Sequence, residues 1–137
     1  MSKILRFEEI DAWKKSRILT REIYEATSSG SFARDFGLRD QIRRASVSSM
    51  SNIAEGFERG GNKEFVQFLS NAKGSTGEVR SQLYVALDAG FINQKKIQDL
   101  YVHAEDTSRL IAGFMRYLQQ SNFRGAKFSE RRSDLEL

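Results

Sequence analysis

Apolar residues recur at spacings of three and four along four stretches of this chain, and no proline interrupts any of them. At about 100° of rotation per helical residue, that spacing gathers side chains on one face. Proline would remove a backbone donor and collide with the preceding turn, so a chain without it can run long unbroken helices. The pattern predicts an all-α fold, an antiparallel up-down-up-down four-helix bundle. The first helix is expected over about Glu8–Thr27, with Ala12, Ser16, Leu19, Ile23 and Ala26 inward and Gly30 just past its end. Residues 28–37 form the longest connection, anchored by Phe32 and Phe36. A second helix is expected over about Leu38–Gly56, a third over Lys63–Ala89 behind an Asn62 cap, and a fourth from an Asn93 cap to about Asn122. One bundle domain over 1–121 results, with 122–137 a polar tail of mixed charge expected to be disordered.

Composition removes several chemistries. There is no cysteine, which excludes disulfides, thiolate metal sites and cysteine nucleophiles. The single histidine, His103, sits outside the fourth helix's seam and is expected to be exposed and inert; paired Glu-x-x-His metal sites need two. The glycine-rich RGGNK segment at Arg59–Lys63 lacks the lysine-serine/threonine ending of a phosphate loop. The serines have no paired base. Glu55 and Glu78 are candidates for a carboxylate pair, but Arg43 or Arg44 within reach favours ion pairing. The expectation is a protein that is not an enzyme, with no catalytic residue, cofactor or metal. No signal peptide and no membrane-crossing run is present, so a soluble, cytoplasmic chain without a membrane partner is expected.

The least ordinary stretch is Leu38–Gly61. Its inner face carries Leu38, Ile42, Ala45, Ser49, Ile53 and Gly56, and beside it Gln41, Arg44, Ser48, Asn52 and Glu55 form a narrow polar strip. A polar strip bordering a core has to be hydrogen-bonded or wet. It reads either as register-fixing packing or as a ligand contact. The third helix has Ser70, Gly74, Gly77 and Ser81 off its seam; helix-interior glycine costs up to about 1 kcal/mol against alanine, which suggests a close contact with a neighbouring helix or another subunit. Extra apolar groups, Ile10, Trp13 and Tyr24 on the first helix and Leu110, Phe114 and Tyr117 on the fourth, would be exposed on a lone bundle and are read as candidate oligomer contacts. The 22 basic and 18 acidic residues are interspersed, a balance that permits nucleic-acid binding without demanding it. Candidates for phosphate contacts are Lys14, Arg17 and Arg21 on the first helix, Arg39 and Arg43 on the second, and Arg59 with Lys63 in the turn.

Several runs together carry a family resemblance: Phe36-Gly37-Leu38, Gln41-Ile42-Arg43-Arg44-Ala45, Asn52-Ile53-Ala54-Glu55-Gly56, Lys63-Glu64-Phe65 with Phe68-Leu69, and Gly90-Phe91-Ile92. Over about Phe7–Leu118 the chain resembles the four-helix-bundle proteins encoded in 23S ribosomal RNA intervening sequences. Where members of that family often carry proline, this chain has Ala33 and Met50, differences expected to change local kinks and not the fold. The resemblance implies a homopentameric ring of antiparallel bundles. It also implies kinship with the accessory variability proteins of diversity-generating retroelements, which bind nucleic acid and a reverse transcriptase. No biochemical activity comes with the resemblance. A structural or protein-interaction scaffold with no nucleic-acid role is the alternative reading.

Overall fold

The computed structural model describes residues 3–120; the anticipated tail lies outside them. Among the described residues there are five α-helices and no strand. A 3-10 turn at Phe7–Glu9 precedes α1 (Asp11–Ala26). A short α2 (Gly30–Arg34) sits inside the first connection, and α3 (Phe36–Arg59), α4 (Asn62–Asp88) and α5 (Gln94–Gln120) follow.

The helix ends have local causes. The Glu9 carboxylate accepts from the backbone N–H groups of Leu5 (2.7 Å) and Arg6 (3.2 Å), closing the 3-10 turn and delaying α1 past the expected Glu8 start. These two donors, Leu5 foremost, hold the Glu9 carboxyl below its ordinary range. α3 starts at Phe36, not Leu38, because the Asp35 side chain accepts from Leu38 N at 2.9 Å. It runs on to Arg59 and stops at Gly60, whose φ of 87° is left-handed. Asn62 is not the cap of α4. Gly61 holds that position, and the Asn62 amide reaches across to donate to Leu118 O at 2.7 Å, satisfying a carbonyl in the last turn of α5. Asn93 does cap its helix, accepting from Lys96 N at 2.8 Å. Of the two expected loop anchors only Phe32 is one: it is 1% exposed and stacked on Phe91, centroids 5.5 Å apart. Phe36 is 63% exposed, with the Arg39 guanidinium 4.7 Å above its ring.

The four long helices pack around one square: α3 on α4, α4 on α5, and α1 on both α3 and α5. Across α3 and α4, Gln41 meets Gln82 and Ser48 meets Ser75. Across α4 and α5, Asn62 meets Leu118, Phe65 meets Phe114 and Tyr84 meets Tyr101. The close approach of α3 to α4 rests on Gly56, where a Cβ would lie 2.7 Å from Phe68 Cβ and 2.8 Å from Phe65 Cδ1.

The core is two apolar clusters. One contains Leu19, Ile23, Ile42, Val79, Leu83 and Leu100; the other contains Ile10, Ile53, Phe65, Leu69, Ile111 and Leu118. Between them in every long helix lie buried hydroxyl residues: Ser16 in α1, with Thr20 just past Leu19, Ser46 and Ser49 in α3, Ser75 and Thr76 in α4, Thr107 and Ser108 in α5.

Candidate nucleic-acid interface

The seven candidate cations separate into distinct groups. Lys14, Arg17 and Arg21 are all exposed, and their spacing of three and four sets them on one outer ridge of α1. Lys14 lies 4.0 Å from Asp11, with both side chains largely in solvent, a pairing that contributes little. The Arg17 guanidinium stands 5.8 Å from the Trp13 ring centroid. Among the described residues neither Arg17 nor Arg21 pairs with a carboxylate.

Arg39 and Arg43 are committed to packing. Arg39 donates to Asp40 Oδ1 (3.0 Å) and to Ala33 O (3.1 Å). Arg43 donates to Thr27 Oγ1 (2.7 Å) and Thr27 O (3.2 Å) and lies 4.5 Å above the Tyr24 ring. A fixed cation at that place serves the carboxyl-terminal end of α1, where carbonyls and the helix dipole favour positive charge. In the turn, Arg59 is held by Glu55 (2.9 Å) and Glu64 (3.8 Å) and covers Phe68, so its charge is largely cancelled. Lys63 beside it is exposed and, among the described residues, unpaired.

The polar strip divides too. Gln41, Ser48 and Asn52 lie along the α3–α4 contact: Gln82 donates to Gln41 Oε1 (3.4 Å), Ser75 Oγ to Ser48 Oγ (3.0 Å), and Asn52 Nδ2 to Ser48 O and Oγ. Glu55 pairs with Arg59, not with Arg43 or Arg44. Arg44 is exposed and lines an open cleft of about 940 Å³ across α3, together with Tyr24, Gln41 and Gln82. Asp40 and Glu78 line the same cleft and oppose its charge, so the α1 ridge remains the clearer cationic feature. The spacing of three and four that marks this ridge is legible in sequence. The commitment of Arg43 to Thr27 is not, because it joins residues on two different helices.

Several candidate oligomer contacts lie elsewhere than expected. Ile10 is 1% exposed and belongs to the core, because the 3-10 turn folds the chain entering α1 back over the bundle. Phe114 and Tyr117 are half-buried against the same cluster, Phe114 at 5.4 Å from Phe65 and 5.8 Å from Tyr117. Trp13 is half-buried with its ring edge-on to Phe7 at 5.2 Å. Tyr24 and Leu110 are each 40% exposed. Gly74 is exposed, and a Cβ there would meet nothing within 4 Å; at Gly77 it would meet only Arg80 Nη2 at 3.7 Å. Neither glycine is needed for packing within the bundle. His103 is not free on the surface as expected: it is half-buried, its Nδ1 2.9 Å from Lys15 Nζ, which links α5 to α1.

Among the described residues no group of histidine, cysteine or carboxylate side chains could hold a metal ion, and no helix is long and apolar enough to cross a membrane.

Comparison with known proteins locates the chain. A crystal structure of a protein of unknown function from the S23 ribosomal protein family of Bacteroides thetaiotaomicron superposes with a TM-score of 0.69 at 18% identity, covering 76% of this chain and 97% of the other. At that identity the likeness concerns the fold. No curated protein matches the sequence. The model of the family described as 23S rRNA-intervening sequence protein matches residues 8–113, most of α1 through α5, and it is to this family that the chain belongs.

Proposed function

We propose that this chain is a non-enzymatic, homo-oligomeric helical bundle that binds nucleic acid through the α1 ridge of Lys14, Arg17 and Arg21. The observation that carries the reading is the state of those cations: exposed, on one face, and for Arg17 and Arg21 without a carboxylate partner among the described residues. Phosphate contacts of this kind act through counterion release, and assembly into a ring, which the family resemblance implies as a pentamer, would repeat the ridge and multiply them. The helix order we infer is up-down-up-down. Gln41 early in α3 meets Gln82 late in α4, and Ser48 meets Ser75 near the middle of both, the order an antiparallel pair gives. The α4 face at Gly74 and Gly77, unused within the bundle, favours a second reading, in which the chain is a scaffold that assembles with itself or with a protein such as a reverse transcriptase. A cytoplasmic location accords with either.

The test is filter binding of structured RNA and of DNA at two salt concentrations. Salt-sensitive binding is expected, with the log–log salt slope shallower by about 1 for each of Arg17→Ala and Arg21→Ala. No salt-sensitive binding at micromolar protein would leave the scaffold reading alone.

A further inference from the structure

The buried hydroxyl layer divides the core along its length. In α1 the flanking apolar core residues are Ala12 and Leu19, with Ser16 between; in α3 they are Ala45 and Ile53, with Ser46 and Ser49 between. In α4, Ala72 and Val79 bracket Ser75 and Thr76, and in α5, Ala104 and Ile111 bracket Thr107 and Ser108. All four long helices change character at one level. Small hydroxyl side chains bury little apolar surface, and the hydrophobic drive scales with that surface.

The hydroxyls do little to replace the lost adhesion. Ser16 Oγ donates to Trp13 O (3.3 Å), Thr76 Oγ1 to Lys73 O (2.7 Å) and Thr107 Oγ1 to His103 O (2.7 Å), each to a carbonyl of its own helix. Such bonds survive when helices part. Two hydroxyl bonds of the layer cross between helices: Thr20 Oγ1 to Ser46 O at 3.0 Å, between α1 and α3, and Ser75 Oγ to Ser48 Oγ at 3.0 Å, between α3 and α4. Outside the layer, the partly buried Lys15 and His103 join α1 to α5. Among the described residues Ser49 Oγ is buried without a hydrogen-bond partner, so it adds no bond that holds the helices together at this level.

We infer that the layer is a seam making the bundle two half-cores that open separately, and that the half built on Ile53, Phe65, Ile111 and Leu118 opens first. Connectivity sets the order. At the end of the bundle carrying Leu19, Ile42 and Leu83, residues 27–35 join α1 to α3 and residues 89–93 join α4 to α5. At the other end the Gly60–Gly61 turn joins α3 to α4, and no connection joins α1 to α5. Sub-global opening follows such units, with segments of lower local stability exchanging independently of the rest.

Native-state hydrogen exchange on the full chain tests this. In the wild type, amides of 53–72 and 111–118 are expected to form one group exchanging at least tenfold faster than the most protected amides of 79–86 and 97–104. Filling the seam with Ser49→Ala, Thr76→Val and Thr107→Val together should slow the first group at least tenfold and the second much less, bringing the two together. A single protection level throughout the wild-type core would overturn the inference, whether or not the triple variant folds. So would a variant that slows both groups equally.

Discussion

Gly56→Ala isolates the contact that sets the α3–α4 distance. The added methyl carbon would stand 2.7 Å from Phe68 Cβ and 2.8 Å from Phe65 Cδ1, well inside the ~3.5–4.0 Å at which carbon atoms attract. Phe68 Cβ is fixed to its backbone, and Phe65 is fully buried, so neither can swing aside. Relief requires the helices to separate. Overpacking of this kind costs about 1–3 kcal/mol, partly offset by the ~1 kcal/mol that alanine contributes over glycine in a helix. The expected net loss is up to roughly 2 kcal/mol. Gly74→Ala is the matched control, since its Cβ would meet nothing within 4 Å and should yield a gain of up to about 1 kcal/mol. The propensity gain is common to both, so for a domain of this size the two variants should melt roughly 3–12 °C apart. Circular dichroism melts at low protein concentration, with urea titrations to check that m is unchanged, give the comparison. If Gly56→Ala melts with or above Gly74→Ala, α3 and α4 do not approach as described and the reasoning fails.

Arg43→Ala should destabilise the bundle by about 1–2 kcal/mol, since it strips Thr27 and the last turn of α1 of their cation; a urea midpoint equal to wild type would show that the clamp contributes nothing. Because folding and binding are confounded at Arg43, only Arg17 and Arg21 give clean binding variants. Glu9 has a depressed folded-state pKa, so its contribution is present above the unfolded carboxyl pKa and is lost as pH falls through the folded one. The fluorescence of Trp13, the one tryptophan, beside Phe7, should report an acid transition in the amino-terminal turn that Glu9→Gln abolishes. Tyr84 is shifted the other way, by its side-chain hydrogen bond with Tyr101 and then by the charge of Tyr101. The stability it contributes is therefore present below the ordinary tyrosine pKa and lost as pH rises through the raised one; Tyr101→Phe should lower the Tyr84 titration midpoint in ultraviolet difference spectra.

Helix periodicity carried most of the fold because it is a local signal. Ile42, Ile53, Leu69, Val79, Leu83, Leu100 and Ile111 are buried where spacing alone puts them, and Asn93 caps α5 as its position suggests. Ser16, Ser49, Thr76 and Ser108 were legible as inward-facing, but not as one layer, because the level at which helices meet depends on their relative register. The candidate site was less readable. Arg17 and Arg43 look alike in sequence, as cations off the inward face of a helix. Only the packing of α1 on α3 brings Arg43 to Thr27 and leaves Arg21, among the described residues, without a carboxylate partner. Ile10 was misplaced because a backbone turn held by the Glu9 carboxylate folds it inward. Gly56 and Gly74 are the clearest contrast, two helical glycines of which one faces two phenylalanines and the other open space. Residue spacing decides which face of a helix is apolar, because it acts along a single helix. Which small residue is essential and which cation is free belong to the tertiary structure, because both depend on distances between helices.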